Sequence, residues 1–308
     1  MKFLVLGASG FVGQSTYVYL KSLGLTTVGT QYSASYSGLI QFNLAKDRIE
    51  NAVEPSFFQG SEPKFGIIFS YMTNMDRCAR EKDLSYNINV TNIIQLIEDL
   101  MRLKTKPVFI STAAVFNGET GNYKEDDQPS PLSEYAKQKL DVEKFITKNY
   151  PEALIIRLDK VIGEDPSSRH MFTEWYHLAE KSQPIYCIEG QQFSPTYVND
   201  VGRALFALCE RNCSGIYHVT NPDSMSRVAL AEAFFRKLEK KAEIVVLPQE
   251  KLNLLAKRSL RSYLNVEKIR KEIGIEFTKT ESVIDSFVEK IKVQVQLNNI
   301  KATVKRSC

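Results

Sequence analysis

The sequence predicts an α/β protein, with a doubly wound parallel sheet and a smaller C-terminal α+β lobe. Three observations carry this. Short apolar runs alternate with helical patterns from the first residue, a glycine cluster follows the first run, and the alternation breaks near residue 160. Strand–helix–strand alternation implies right-handed crossovers and parallel strands. A chain of 308 residues can hold one domain of this kind together with a lobe.

The elements follow in order. Residues 3–6 form a first strand ending in glycines, and residues 12–23 a helix ending at Gly24. A second strand covers residues 26–30. Residues 65–69 are continuously apolar, as in a strand buried on both faces. Residues 84–103 read as one long amphipathic helix, with Ile88, Ile93, Ile94, Leu96, Ile97 and Leu100 available for one face. Strands at 108–110 and 153–158 flank a helix at 133–149. Residues 163–169 are polar and rich in turn formers. Beyond them lie helices at 171–181, 200–210 and 227–240, with strands near 185, 216–219 and 243–247. Residues 1–160, with segments returning from about 195–220, read as the main domain and residues 161–292 as the lobe. The basic tail 293–308 is expected to fray.

Composition excludes several classes. Hydrophobic residues make up 43%, charged residues 25%, and the net charge is +4 with Lys and Arg scattered. A nucleic-acid surface needs a clustered basic face, so no nucleic-acid partner is expected. The first apolar run is too short for a signal peptide. No apolar stretch reaches the roughly 18 residues of a membrane helix, so a cytoplasmic chain without membrane contact is expected. The five cysteines (Cys78, Cys187, Cys209, Cys213, Cys308) contain no CxxC pair, and the three histidines are dispersed. Free thiols and no metal site are expected.

Gly7-Ala8-Ser9-Gly10-Phe11-Val12-Gly13 links a strand to a helix. The first glycine permits a tight turn. The second lets the backbone approach a pyrophosphate, and the third lets helix and strand pack closely. Free N–H groups at the helix start then face the phosphates. A glycine turn can also be purely structural, but this one has a strand before it and a helix after it, which points to a dinucleotide and a Rossmann-type domain.

Tyr135 and Lys139 stand at i and i+4 on a predicted helix, hence on one face. A phenol with a pKa of about 10 is a poor acid–base group at neutral pH, and a nearby ammonium should lower it. The same lysine can reach a cofactor ribose. A solvated helix face gives the same spacing, but Ser111-Thr112 ends a strand a little over twenty residues upstream. Carboxyl ends of parallel strands line the ligand crevice, where a hydroxyl can hold a substrate carbonyl against the tyrosine.

Together the glycine turn, Ser111-Thr112-Ala113-Ala114-Val115-Phe116 and Tyr135/Lys139 resemble the extended short-chain dehydrogenases/reductases that bind nucleotide sugars. Aligning Val115-Phe116 with that family's Val-Tyr or Val-Phe pair makes Thr112 the catalytic hydroxyl beside Tyr135 and Lys139. Four segments resemble the dTDP-4-dehydrorhamnose reductase-like branch: residues 73–78, the 123–131 loop, Gln191 to Tyr197 with its Pro195-Thr196, and residues 258–262. The resemblance spans about residues 1–290. It implies reduction of a 4-keto nucleotide sugar with NADP(H) or NAD(H), on an oxidoreductase whose candidate assembly is a homodimer. The alternatives are a nucleotide-sugar epimerase on the same scaffold, or a non-catalytic subunit like the regulatory β subunit of methionine adenosyltransferase.

By the same resemblance the cofactor would touch Gly7, Ser9, Gly10, Phe11, Val12, Gly13, Thr30, Gln31, Asn43, Leu44, Phe69, Ser70, Tyr71, Tyr135 and Lys139. Substrate would touch Thr73, Thr112, Lys160, Gln191 and Thr196. The chain departs from the branch at Ala113 (usually Asp), at Lys160 (often aromatic), at Phe69-Ser70-Tyr71 (usually Asn-Ala-Ala) and at Asn43 (usually acidic). No carboxylate ends the second strand, Val28-Gly29-Thr30-Gln31-Tyr32-Ser33, so the usual barrier to a ribose 2′-phosphate is missing. NADPH should serve at least as well as NADH.

Overall fold

In the computed structural model, which describes residues 1–306 and the side chains of 1–297, the first half of the chain alternates as expected. It runs β1 (Lys2–Leu6), α1 (Phe11–Ser22), β2 (Thr26–Gln31), β3 (Ile40–Gln41), two single turns α2 (Ile49–Ala52) and α3 (Pro55–Phe58), and β4 (Lys64–Ile68). Then come α4 (Met75–Arg80), α5 (Lys82–Tyr86), α6 (Asn92–Arg102), β5 (Lys106–Thr112), α7 (Glu134–Asn149) and β6 (Leu154–Leu158). The second half holds β7 (Val161–Ile162), α8 (Met171–Glu180), β8 (Ile185–Ile188), β9 (Gln192–Phe193), β10 (Thr196–Tyr197), α9 (Val198–Glu210) and β11 (Gly215–His218). It ends with β12 (Met225–Ser226), α10 (Arg227–Leu238), β13 (Ile244–Leu247), α11 (Glu267–Ile273) and α12 (Thr280–Arg306).

Seven strands form one parallel sheet in the order β11-β6-β5-β4-β1-β2-β3. The chain winds outward from β1 to β3, returns to β4 beside β1, and winds the other way. The direction of winding reverses between β1 and β4, and in open sheets ligands bind at the carboxyl ends of such strands. Apolar clusters cover both faces. One joins Phe3, Val5, Ile67 and Ile156 to Val201 and Leu205 of α9. The other joins Leu4, Ile68 and Phe109 to Ile93 and Ile97 of α6 and Val142 of α7. A third cluster fills the C-terminal lobe, where Phe172, Trp175, Phe234 and Phe287 pack together.

One expectation is refined and one is corrected. The helix expected at 84–103 forms, running without a gap from Lys82 to Arg102, but it is not regular: a π turn at Asn87–Thr91 lies between α5 and α6. The extra residue aims Asn89 inward, where its amide donates to the Met72 carbonyl (3.0 Å) and to Gln138 (2.8 Å) and its oxygen accepts from the Met72 N–H (2.8 Å). A regular α-helix would carry that polar side chain elsewhere, which apolar periodicity does not register. The tail is the correction, because α12 continues helical to Arg306. Cys308 lies outside the described residues. Cys78, Cys187, Cys209 and Cys213 are free thiols, and no helix among the described residues is long and apolar enough to cross a membrane.

One ion pair inside the fold ties α7 to β6. Arg157 donates from Nε to Glu143 Oε1 (3.0 Å) and from a terminal nitrogen to Oε2 (2.7 Å). Both side chains are at most 3% exposed. The guanidinium also lies 5.0 Å from the Phe116 ring. Burial, with this positive charge adding to it, holds the neighbouring His218 down at about 3, so that imidazole is neutral at physiological pH. A buried guanidinium that loses its carboxylate is left uncompensated. Glu143→Gln should therefore lower the unfolding free energy by about 3–5 kcal/mol, read from urea or guanidinium midpoints. A loss under about 1 kcal/mol, the range of an exposed pair, would show that solvent reaches this fork.

Candidate active site

The glycine turn sits at the carboxyl end of β1. Gly7 has φ +84° and its N–H donates to Thr30 Oγ1 at 3.1 Å. A Cβ on Gly13 would lie 2.3 Å from the Gly7 carbonyl oxygen, so α1 can approach the turn only because residue 13 has no side chain. Gly10, exposed, precedes α1, and no side chain caps the helix. Its first N–H groups are left for a ligand. A cradle of this shape and polarity fits a pyrophosphate.

A cleft of about 400 Å³ opens beside this turn. Gly10, Phe11, Val12 and Gly13 form one wall; Phe69, Tyr71 and Thr73 come from the segment after β4. Ile110, Ser111 and Thr112 of β5, Tyr135 and Lys139 of α7, and Leu158, Asp159 and Val161 complete it. A second cavity of about 200 Å³ adjoins it, sharing Thr73, Thr112, Tyr135 and Asp159 and adding Lys160, Gln191, Arg258 and Ser262. The two cavities meet at the Thr112–Tyr135 wall. The fold thus brings together the glycine turn, all three expected catalytic side chains, and Thr73, Lys160 and Gln191 of the expected substrate set.

The electrostatics are set by burial. Thr112 Oγ1 accepts the Ala114 N–H at 3.2 Å, which leaves its hydroxyl proton free to donate into the cavity. Burial pushes the Tyr135 phenol upward, opposite to the lowering expected from its lysine neighbour. The reason is that Lys139 is itself only 1% exposed, and burial holds it well below its usual range, with Glu143 acting in the opposite sense. Lys139 Nζ donates to the Ile110 carbonyl at 2.8 Å and lies 5.8 Å from the centre of the Tyr135 ring.

Asp159 is a site residue that motif reading passed over. It follows the last residue of β6 and lines both cavities. It accepts the Ser194 N–H (2.8 Å) and the Ser262 hydroxyl (2.9 Å), and burial raises it to about 6. The signal available was a lone carboxylate directly after an apolar strand, next to Lys160. Arg258 was visible only as part of a resembling segment. Asp76 holds it, accepting from its guanidinium (2.9 Å) and from the Ala256 N–H (2.9 Å).

Other expected residues stand apart from both linings. Gln31 is occupied: its amide donates to the Tyr36 and Leu39 carbonyls (both 3.1 Å), and its oxygen accepts the Tyr36 N–H (2.7 Å). Asn43 closes its own turn through the Ala45 N–H (3.0 Å), and Leu44 packs into the core beneath. Ser9 is half-buried at the glycine turn. Thr30 is spent on Gly7, and Ser70 Oγ lies against Gly7, 2.9 Å from where a Cβ would stand. Thr196 is fully buried and donates to the Ser194 carbonyl (3.1 Å), supporting the chain behind the cavity.

Comparison with known proteins places these features in a family. The family model described as the RmlD substrate binding domain matches residues 1–293. The chain is 30% identical over 276 residues to the spore coat polysaccharide biosynthesis protein SpsK of Bacillus subtilis, covering 89% of this chain and 92% of that one. It is 28% identical over 245 residues to the methionine adenosyltransferase 2 subunit beta of Danio rerio, covering 75% and 73%. A crystal structure of a hypothetical dTDP-4-dehydrorhamnose reductase from Sulfolobus tokodaii superposes with a TM-score of 0.79 at 26% identity, over 91% of this chain and 98% of that one. With the glycine turn, the Thr112–Tyr135–Lys139 wall and a match over nearly its whole length, the chain belongs to the RmlD substrate-binding domain family.

Proposed function

We propose that this protein reduces the keto group of a 4-keto nucleotide sugar with NADPH or NADH. Residues 1–160 would bind the nicotinamide cofactor and 161–292 the substrate, in a cytoplasmic homodimer. One observation carries the reading: the cleft beside the glycine turn and the cavity beside Lys160, Gln191 and Arg258 meet at Thr112 and Tyr135. A bound reduced nicotinamide supplies hydride. The protein's own residues handle the oxygen. Thr112 donates a hydrogen bond from its hydroxyl to the carbonyl oxygen and orients it, keeping its own proton. Tyr135 gives the proton that the new alkoxide takes up. Charge developing on that oxygen favours proton transfer from a phenol that burial otherwise keeps protonated. Lys160 and Arg258 bring positive charge to the cavity that would take the nucleotide sugar.

Ala113 and Ala114 follow Thr112 in a single 3-10 turn. Neither can move a proton, so chemistry at neighbouring sugar carbons has no acid or base from this segment. A net reductase should consume one reduced cofactor per keto sugar. Steady production of a 4-keto-6-deoxy sugar from a nucleotide glucose, with no net cofactor change, would exclude the proposal.

A second reading is a non-catalytic subunit, as the name of the Danio rerio relative implies for that protein. The observation that favours it is the Tyr71 ring packed on Lys139. Turnover separates the two, and recovery of a stoichiometric partner enzyme would favour the subunit.

Two outcomes test the first reading. Tyr135→Phe should lower turnover by roughly 10²–10⁴-fold while leaving cofactor binding nearly intact; unchanged turnover would remove Tyr135 from the proton path. NADPH should have a kcat/KM at least equal to that of NADH. With Gln31 committed to its own loop, Tyr32 and Ser33 are the exposed donors near the end of β2, and neutral donors hold phosphate less firmly than a guanidinium. An NADH preference above tenfold would mean that a carboxylate from another segment reaches the ribose.

A further inference from the structure

We infer that Tyr71 is a displaceable cover on Lys139, competing with the nicotinamide-side ribose of the cofactor for that ammonium. The inference rests on the cofactor reading above and adds what the free protein does with its lysine. The Tyr71 ring centre lies 2.7 Å from Lys139 Nζ. Its hydroxyl donates to the Ile68 carbonyl, anchoring the ring across the ends of β4 and β5. The Phe109 ring meets it edge-on, with centroids 5.7 Å apart at 87°. Beneath it Lys139 is 1% exposed.

An ammonium has three N–H donors. One is spent on the Ile110 carbonyl, and the Tyr71 π face takes the side from which a ligand in the cleft would come. With Lys139 only 1% exposed, a ribose hydroxyl coming from the cleft has to compete with the ring for Nζ.

Leaving would cost the ring its hydrogen bond to Ile68 and its edge contact with Phe109, but no secondary-structure element. Tyr71 is half-buried and lines the cleft, and it stands after the end of β4 with no helix or strand at 69–74. Displacement of the ring into the cleft therefore needs no helix or strand to unfold. The pyrophosphate cradle at Gly10–Gly13 carries no such obstruction. The cover therefore divides the cofactor into two halves. The adenosine diphosphate half meets a preformed site, and the nicotinamide half must first expel a side chain. A conformational cost of this kind reduces apparent affinity by the fraction of open protein.

The test uses the full-length protein, with Tyr71→Ala, with Tyr71→Leu (which keeps bulk but has no π face) and with Tyr71→Phe (which keeps the ring). In the ligand-free state, lysine acetylation followed by peptide mass spectrometry reads access to Lys139. Modification should be slow in wild type and Tyr71→Phe, and about tenfold faster in Tyr71→Ala and Tyr71→Leu. Calorimetry reads binding of NADPH and of adenosine 2′,5′-bisphosphate, which lacks the nicotinamide half. Tyr71→Ala should tighten NADPH about tenfold and leave the fragment within twofold. Equal acetylation of Lys139 in wild type and Tyr71→Ala would overturn the cover. So would NADPH binding no tighter in Tyr71→Ala while the fragment still binds. If Lys139 is unmasked in Tyr71→Ala but neither nucleotide binds either protein, the cofactor reading of the cleft fails, and the competition with ribose fails with it.

Discussion

The site depends on one buried contact, the two-pronged bond between Arg157 and Glu143. Glu143 lies one helical step beyond Lys139 and two beyond Tyr135, so all three share a face of α7. Arg157 lies two residues before Asp159, at the end of β6. Locking Glu143 to Arg157 sets how far along β6 the helix slides. It thereby sets the separation of Tyr135 from Asp159 and Lys160 across the cavity. Apolar packing of Val142 and Ile146 under α7 would tolerate a shift of a fraction of a turn. A fork with two bonds near 3 Å tolerates much less. The fold thus places an expensive buried charge pair where position matters most.

Local signals were legible where one element carries the whole requirement. The glycine turn needs a strand, three glycines and a helix, all within residues 3–13. The i, i+4 pair needs only a helix through residues 135–139. Parallel order followed from alternation, and the winding reversal between β1 and β4 then brings turn and pair to the same edge. Thr112 was found because a strand end is also a local feature.

What stayed hidden is set by partners far apart in sequence. The π turn at Asn87–Thr91 exists because Asn89 meets Met72 and Gln138, 17 and 49 residues away. Gln31 stands among the expected cofactor contacts, but its amide closes the 32–39 loop, bonded to Tyr36 and Leu39. Asp159 carries no motif of its own, and the groups that enclose it, Ser194 and Ser262, lie 35 and 103 residues downstream. The expected lowering of the Tyr135 phenol failed for a related reason. Spacing shows that an ammonium is near, but not that it is itself buried.

That failure leads back to Glu143. A phenol that burial pushes upward yields its proton only against a strong base or beside a persistent positive charge. Lys139 is the nearest cation to Tyr135, and its own burial works against its charge. Glu143 is the first group acting to keep it protonated, although both carboxylate oxygens already serve Arg157. Tyr71 adds to this, because a π face stabilises the charged form of the amine it covers. Removing Tyr71 without supplying ribose hydroxyls would expose the lysine to water, whereas a bound ribose replaces the ring with true acceptors. The lysine therefore keeps a partner in either state, a ring when the cleft is empty and hydroxyls when it is filled. The carboxylate that positions α7 also opposes the loss of charge that burial imposes on Lys139.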